Sequence, residues 1–261
     1  MRRILASLCL TILLSSAQSA ERHYSDATLR AIQFVDKKEG WAVGDEGVIW
    51  HTIDGGKNWE RQSTGVRASL RSLYFLNPFV GWVVGREELP LGKGSAGVLL
   101  LTTDGGVHWR RLAPRTMPGL NQIRFIDEKI GFAVGDATDQ FPSGVFTTKD
   151  GGKSWKPLEG PRSASWSAIA MTSKDRGALV GAWNQMATVR GDNIKLAKVD
   201  QLGGRRLNGA YLTGEMTLRK EIATDGRGVA VGQGGLLLVT QDSGATWGYL
   251  APRLPAAVLS C

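Results

Sequence analysis

Gly40-Trp41-Ala42-Val43-Gly44 is followed, eight residues on, by Thr52-Ile53-Asp54-Gly55-Gly56-Lys57-Asn58-Trp59, and both patterns return along the chain. The first recurs as Gly81-Trp82-Val83-Val84-Gly85, Gly131-Phe132-Ala133-Val134-Gly135, Gly177-Ala178-Leu179-Val180-Gly181 and Gly228-Val229-Ala230-Val231-Gly232, at intervals of 41 to 51 residues. The second, Thr-x-Asp-x-Gly-x-x-Trp, recurs at Thr102–Trp109, Thr148–Trp155 and Thr240–Trp247. Its Asp residues lie 50, 46 and 92 positions apart, and 92 is twice 46. One copy is therefore missing between Trp155 and Thr240, and the glycine pattern, present five times, counts five units.

An apolar residue stands six positions before each unit's first Gly, at Phe34, Phe75, Phe125, Met171 and Ile222. Eight positions before it stand Ile32, Leu73, Ile123, Ile169 and Lys220, apolar in four of five. A spacing of two is strand periodicity. Each unit then reads as four strands: one ending at the Phe-type position, the Gly-aromatic-x-Val-Gly run, an apolar run such as Val98–Leu101, and a fourth starting at the Trp. Four strands in about 45 residues make a β-propeller blade. The fold class is all-β, with a signal segment over 1–20, a propeller over 26–253 and the start of a further blade or a tail over 254–261. The blades are expected at 26–67, 68–116, 117–163, 164–213 and 214–253. Where the Asp motif is missing, Met186–Arg190, the turn Gly191-Asp192-Asn193 and Ile194–Lys198 read as an ordinary hairpin.

The recurring Asp is suited to accept backbone N–H groups of its own turn, and Gly supplies backbone angles that a side chain opposes. The Trp is expected against the neighbouring blade, so Trp109→Ala should cost about 3–5 kcal/mol. The structural set is Asp54, Gly56, Trp59, Asp104, Gly106, Trp109, Asp150, Gly152, Trp155, Asp242, Gly244 and Trp247. One acid per motif, without a second at fixed spacing, does not build a calcium loop. His23, His51 and His108 lack metal-ligand spacing. No cofactor and no metal are expected.

The 261 residues are 42% hydrophobic and 21% charged, which excludes a disordered or fibrous chain. Arg2 and Arg3, the apolar run Ile4–Leu14 and the small residues to Ala20 read as a secretory signal, too short to span a membrane as a helix. Its removal takes Cys9 and leaves Cys261, so no internal disulfide is expected in a protein bound for the periplasm, a lumen or the outside of the cell. The formal charge of +8 falls to +6 without Arg2 and Arg3, which favours an acidic partner. Export and the lack of a recognition module argue against nucleic acid.

With these motifs in register from Thr28 to Pro252, the chain resembles the Asp-box, or bacterial-neuraminidase-repeat, propellers. It is most similar to the photosystem II stability and assembly factor family. That resemblance implies an exported, non-enzymatic propeller that helps a membrane protein complex assemble, with a basic patch in contact with the partner. Members of the family usually close with seven blades, so the chain is expected to be truncated relative to the full domain, the alternatives being a compact five-bladed ring or closure by oligomerisation.

The candidate patch is Arg30, Arg67, Arg71 and Arg124. Arg30 and Arg71 hold the same position, ten residues before the blade Gly, and Arg67, like Arg115, precedes a first strand. Loops joining second to third strands, including Arg86–Ala96 and Asp136–Ser143, should gather on the same face. Arg110-Arg111 and Arg205-Arg206 read as solubilising charges on outer strands or loops. The alternative is a carbohydrate-active Asp-box protein, sialidase-like or xyloglucanase-like, or a glycan-binding module. Asp45 and Asp136 would then be facing carboxylates, although turn formation is their simpler role. The sialidase Arg-Ile-Pro motif is absent, no nucleophile elbow is visible, and no catalytic residue is assigned.

Overall fold

The computed structural model describes residues 27–92, 94–112, 117–183, 185–199, 203–213 and 226–250. The signal segment 1–20, the tail 254–261, His23, Arg115, Lys220, Ile222 and both cysteines lie outside them. Among the described residues, no helix is long and apolar enough to cross a membrane.

Five antiparallel sheets follow one another along the chain, each wound outward from its first strand. Blade one comprises β1 (Leu29–Phe34), β2 (Gly40–Gly44), β3 (Ile49–Thr52) and β4 (Glu60–Gln62). Blade two comprises β5 (Ser69–Phe75), β6 (Gly81–Glu88), β7 (Ser95–Thr102) and β8 (Arg110–Arg111). Blade three has β9 (Leu120–Phe125), β10 (Gly131–Gly135), β11 (Val145–Thr148) and β12 (Lys156–Pro157). Blade four has β13 (Trp166–Ser173), β14 (Arg176–Gly181), β15 (Met186–Arg190) and β16 (Asn193–Leu196). After the short β17 (Lys198–Val199), blade five has β18 (Leu207–Leu212), β19 (Gly228–Gly232), β20 (Leu236–Thr240) and β21 (Thr246–Tyr249). β17 runs parallel to β21 and gives this last sheet a fifth strand. The hairpin expected in place of the missing Asp motif is present as β15 and β16, with Arg190 paired to Asn193.

Two expectations are corrected. The Phe-type position of blade five is Leu212, paired with Gly228, not Ile222. Sixteen residues separate this pair, where the other blades have six, so the spacing rule ran into an inserted connection and the sheet begins at Leu207, before the expected boundary at 214. Arg86–Ala96 is mostly not loop: β6 and β7 pair as far as Glu88 and Ser95, shortening the connection to a tight turn.

The glycines of the repeat let chains approach. A methyl group at Gly81 would stand 2.5 Å from the Phe75 ring, and one at Gly131 2.6 Å from Phe125. The second Gly of the motif lies against a carbonyl at the start of the first strand, such as Ser69 for Gly85, or just before it, such as Ser165 for Gly181. Beside them the residue after the first Gly of each second strand, aromatic in blades one to three, lies towards the Phe-type residue of the next blade. Trp41 stacks on Phe75 at 3.7 Å between centroids, and Trp82 on Phe125 at 3.9 Å. The Phe132–Met171 pair of blades three and four shares one apolar cluster, as does the Ala178–Leu212 pair of blades four and five. At the two ends of the series Phe34 and Val229, which hold these same positions, are exposed.

First strands also lock to one another through side chains. Gln33 donates its amide to the Phe75 carbonyl at 3.0 Å and accepts the Phe75 N–H at 2.9 Å, and Gln122 accepts the Ile169 N–H at 2.6 Å. Blades one and two, and blades three and four, are thereby tied at their inner edges without ladder bonds.

Candidate functional site: an arginine-lined central cavity

In four of the five blades the residue after the repeat's second Gly donates its N–H to the carbonyl preceding the first strand: Asp45 to Thr28, Asp136 to Gly119, Ala182 to Ser165 and Gln233 to Arg206. The turns between second and third strands thus crowd one end of the first strands. There the five first strands line a cavity of about 720 Å3, among others through Arg30, Arg71, Asn121, Ser167 and Asn208. These five occupy one structural position, the residue after the start of the first strand's core, so the equivalence of Arg30 and Arg71 in the sequence is an equivalence in space. Arg124 and Arg206 line the same cavity. Arg67 is exposed and lies outside the lining, and Arg115 lies outside the described residues.

Two members of the site were missed. Arg206 read as a solubilising charge, yet it immediately precedes the buried Leu207 of β18 and so stands at the cavity mouth. The misplaced register of blade five hid it. Arg86, assigned to a loop, sits on the extended end of β6 and donates to Asn121 Oδ1 at 3.0 Å and to Asp136 Oδ1 at 2.8 Å. By contrast Arg111 is on an outer strand, as expected, and pairs with Glu87 at 2.8 Å.

Five guanidinium groups, those of Arg30, Arg71, Arg86, Arg124 and Arg206, share the site with two carboxylates, Asp45 and Asp136. Arg30 grips Asp45 through Nε and Nη2 at 2.6 and 2.7 Å. That grip holds the Asp45 carboxyl below its ordinary range and raises the Arg30 guanidinium. Asp136 accepts from Arg86, from Ser95 at 2.9 Å and from Ser165 at 2.8 Å. The simple turn role expected of both acids is therefore corrected: they are the counter-charges of the arginine site. Arg71 has no such partner. Burial, then the like charges of Arg86, Arg30 and Arg206, push its guanidinium down, against a weaker pull from Asp136. Its Nε is buried without a hydrogen-bond partner. A cation so placed is relieved by an anion entering the cavity.

The Asp motifs are at the other end of the blades and do something different. Asp54 Oδ1 accepts the N–H groups of Lys57 and Asn58, each at 2.9 Å, while Thr52 Oγ1 donates to Asp54 and accepts from Gly56. Trp59, Trp155 and Trp247 donate their indole N–H to the second Gly's carbonyl of their own turns at 3.0, 3.1 and 2.9 Å. Trp109 instead reaches Gln62 of blade one at 3.2 Å and meets Phe75 edge-on. It is half-buried, so the cost expected for a fully buried aromatic is corrected downward. Hydrogen bonds to the carboxylates hold Asp54, Asp104 and Asp150 at about 2. His108 bonds Asp104 at 2.8 Å, and His51 bonds Glu39 and stacks on Trp41. Among the described residues no group of His, Cys, Asp and Glu is placed to hold a metal.

Five blades lining a basic cavity, with Asp turns at the opposite rim, define a BNR-type β-propeller. The family model described as photosynthesis system II assembly factor YCF48 matches residues 18–156, more than half of the chain. The chain belongs to that family. Among solved structures, one described as YCF48 bound to D1 peptide superposes with a TM-score of 0.54 at 20% identity, over 85% of this chain and 80% of that one. YCF48 from Cyanidioschyzon merolae superposes with 0.53 at 18% identity, over 87% and 85%. The GH74 xyloglucanase from Xanthomonas campestris reaches 0.62 at 14% identity, over 85% of this chain but only 38% of that one. At these identities the likeness is one of fold. A search of curated proteins returned no match.

Proposed function

We propose that this protein is an exported, non-enzymatic propeller that captures an anionic peptide segment of a membrane protein in the central cavity and so assists assembly of the complex to which that protein belongs. One observation carries this proposal: Arg71 is held among three other arginines with a buried, unbonded Nε, in a cavity whose two acids are already engaged. The family supports the assembly role, and a similarly folded YCF48 is described as bound to a D1 peptide. Peptide segments carry carboxylates in side chains and at the C-terminus, and guanidinium groups bind carboxylates with charge-assisted hydrogen bonds.

Catalysis finds less support. A glycoside hydrolase needs a carboxyl group with a raised pKa to act as acid. Asp45 is displaced in the opposite direction by Arg30, and Asp136 is engaged by Arg86 and two serines. The test is affinity capture by the tagged full chain from the membrane fraction of its source cells. Recovery of one membrane protein complex, released by moderate salt and lost with Arg30→Glu/Arg71→Glu, is expected. Recovery of polysaccharide instead, or capture untouched by the double substitution, would overturn it.

A further inference from the structure

Trp183 stands out on the arginine face. It follows Ala182 in the turn after β14, and its φ of 56° is left-handed, a region that bulky side chains rarely adopt. Glu46 (φ 57°) and Gly234 (φ 67°) hold the same place in the corresponding turns of blades one and five. Its side chain is 73% exposed, more than any other large apolar side chain among the described residues. An indole held in strained backbone and left in water is unexplained by packing, and such outliers gather at ligand sites. Two observations place it beside the cavity. Ala182 donates to the carbonyl of Ser165, two residues before the cavity-lining Ser167. A side chain added at Gly204 would come within 3.9 Å of the indole, and Gly204 leads through Arg205 into the cavity-lining Arg206.

We infer that Trp183 is an apolar anchor for the ligand of the arginine cavity, so that the peptide recognised carries an aromatic or large aliphatic residue near its anionic group. This rests on the peptide-binding function proposed above and adds the chemistry of the partner. Trp supplies wide, rigid contact area with little entropy to lose, which is why it anchors interfaces. The guanidinium groups of the cavity select acidic chain, so the two elements together read a charge and a hydrophobe. An exposed Trp also suits a sugar ring, but the cluster of arginines favours an anion.

Two fluorescein-labelled, glutamate-rich decapeptides, identical except for one Phe replaced by Ala, are titrated with the full chain by fluorescence anisotropy. The wild type is expected to prefer the Phe peptide by about tenfold, the scale of a truncated anchor. Trp183→Gly should erase that preference, with both peptides bound as the Ala peptide is and the salt dependence kept. Glycine suits the left-handed position, so the melting temperature should not fall. Trp183→Phe should restore the preference. A wild type without preference, a preference surviving Trp183→Gly, or a neutral xylogluco-oligosaccharide whose binding needs Trp183 would each overturn the inference while arginine-dependent binding stands. Absence of binding to either peptide would overturn both.

Discussion

The two ends of the blades use the same residue type for opposite purposes. At the outer rim, aspartates accept hydrogen bonds from their own turns, all within four residues: Asp54 from Asn58, Asp150 from Ser154, Asp242 from Thr246. At the cavity, Asp45 and Asp136 neutralise arginines brought from as far as 50 residues away. The rim is local, repeated and structural. The cavity is long-range and aperiodic, and its charges remain unbalanced. Repetition marks what every blade needs in order to fold, and departure from repetition marks what one face does.

The largest test of this contrast strikes the packing that joins the two ends. Trp82→Ala removes a buried stack on Phe125 and should cost about 3–5 kcal/mol in denaturant unfolding, whereas the half-buried Trp109→Ala should cost about 1–2 kcal/mol. Equal losses would mean that the second-strand aromatics do not carry the blade interfaces. At the rim, Thr102→Val leaves the buried Gly106 N–H without its acceptor and should cost about 1–2 kcal/mol, with peptide affinity unchanged. A change in affinity would join two ends that are separate in this structure.

Acid should act on the rim next. Asp54, Asp104 and Asp150 sit at about 2, below the unfolded value near 3.9. Their depressed pKa values contribute stability that is complete above about pH 4 and is lost as pH falls towards 2. The denaturation midpoint should therefore drop between pH 5 and 2.5, and the triple Asp→Asn variant should show a shallower fall. An equally steep fall in that variant would move the acid sensitivity elsewhere. The smallest effect belongs to the cavity: Asp45→Asn frees Arg30 and should raise affinity for an acidic peptide a few-fold, with stability changed by less than about 1 kcal/mol. Weaker binding would make Asp45 part of the ligand's contact instead of its competitor.

The rim was legible in the sequence because Thr, Asp, Gly and Trp recur at fixed offsets and face each other within one turn. The packing between blades was not: the Trp of the Asp motif was expected there, whereas Trp59 and Trp155 meet Phe34 and Phe125 of their own blades and it is Trp41 and Trp82 that stack on the next blade. Arg30 and Arg71 were found, as the rim was, by equivalent position. Arg206 was not, because the residues inserted between Leu212 and Gly228 broke the spacing that located the other first strands. Arg86 was hidden in a connection that the structure builds as paired strand. The pairing of Asp45 with Arg30 is a matter of side-chain reach between strands, which periodicity does not encode. Trp183 is visible in the sequence only as one more aromatic. Its left-handed turn and its neighbour Gly204 are properties of the folded chain.

The measurement closest to the central claim is calorimetric titration of the full chain with a glutamate-rich decapeptide bearing a free C-terminal carboxylate, at low and moderate salt, beside Arg71→Gln. Binding that weakens with salt, and that falls about tenfold in a variant with an unchanged melting temperature, is expected from a half-buried arginine with no carboxylate bonded to it. Undetectable binding, or equal affinity in the wild type and Arg71→Gln, would contradict the cavity as the site of capture.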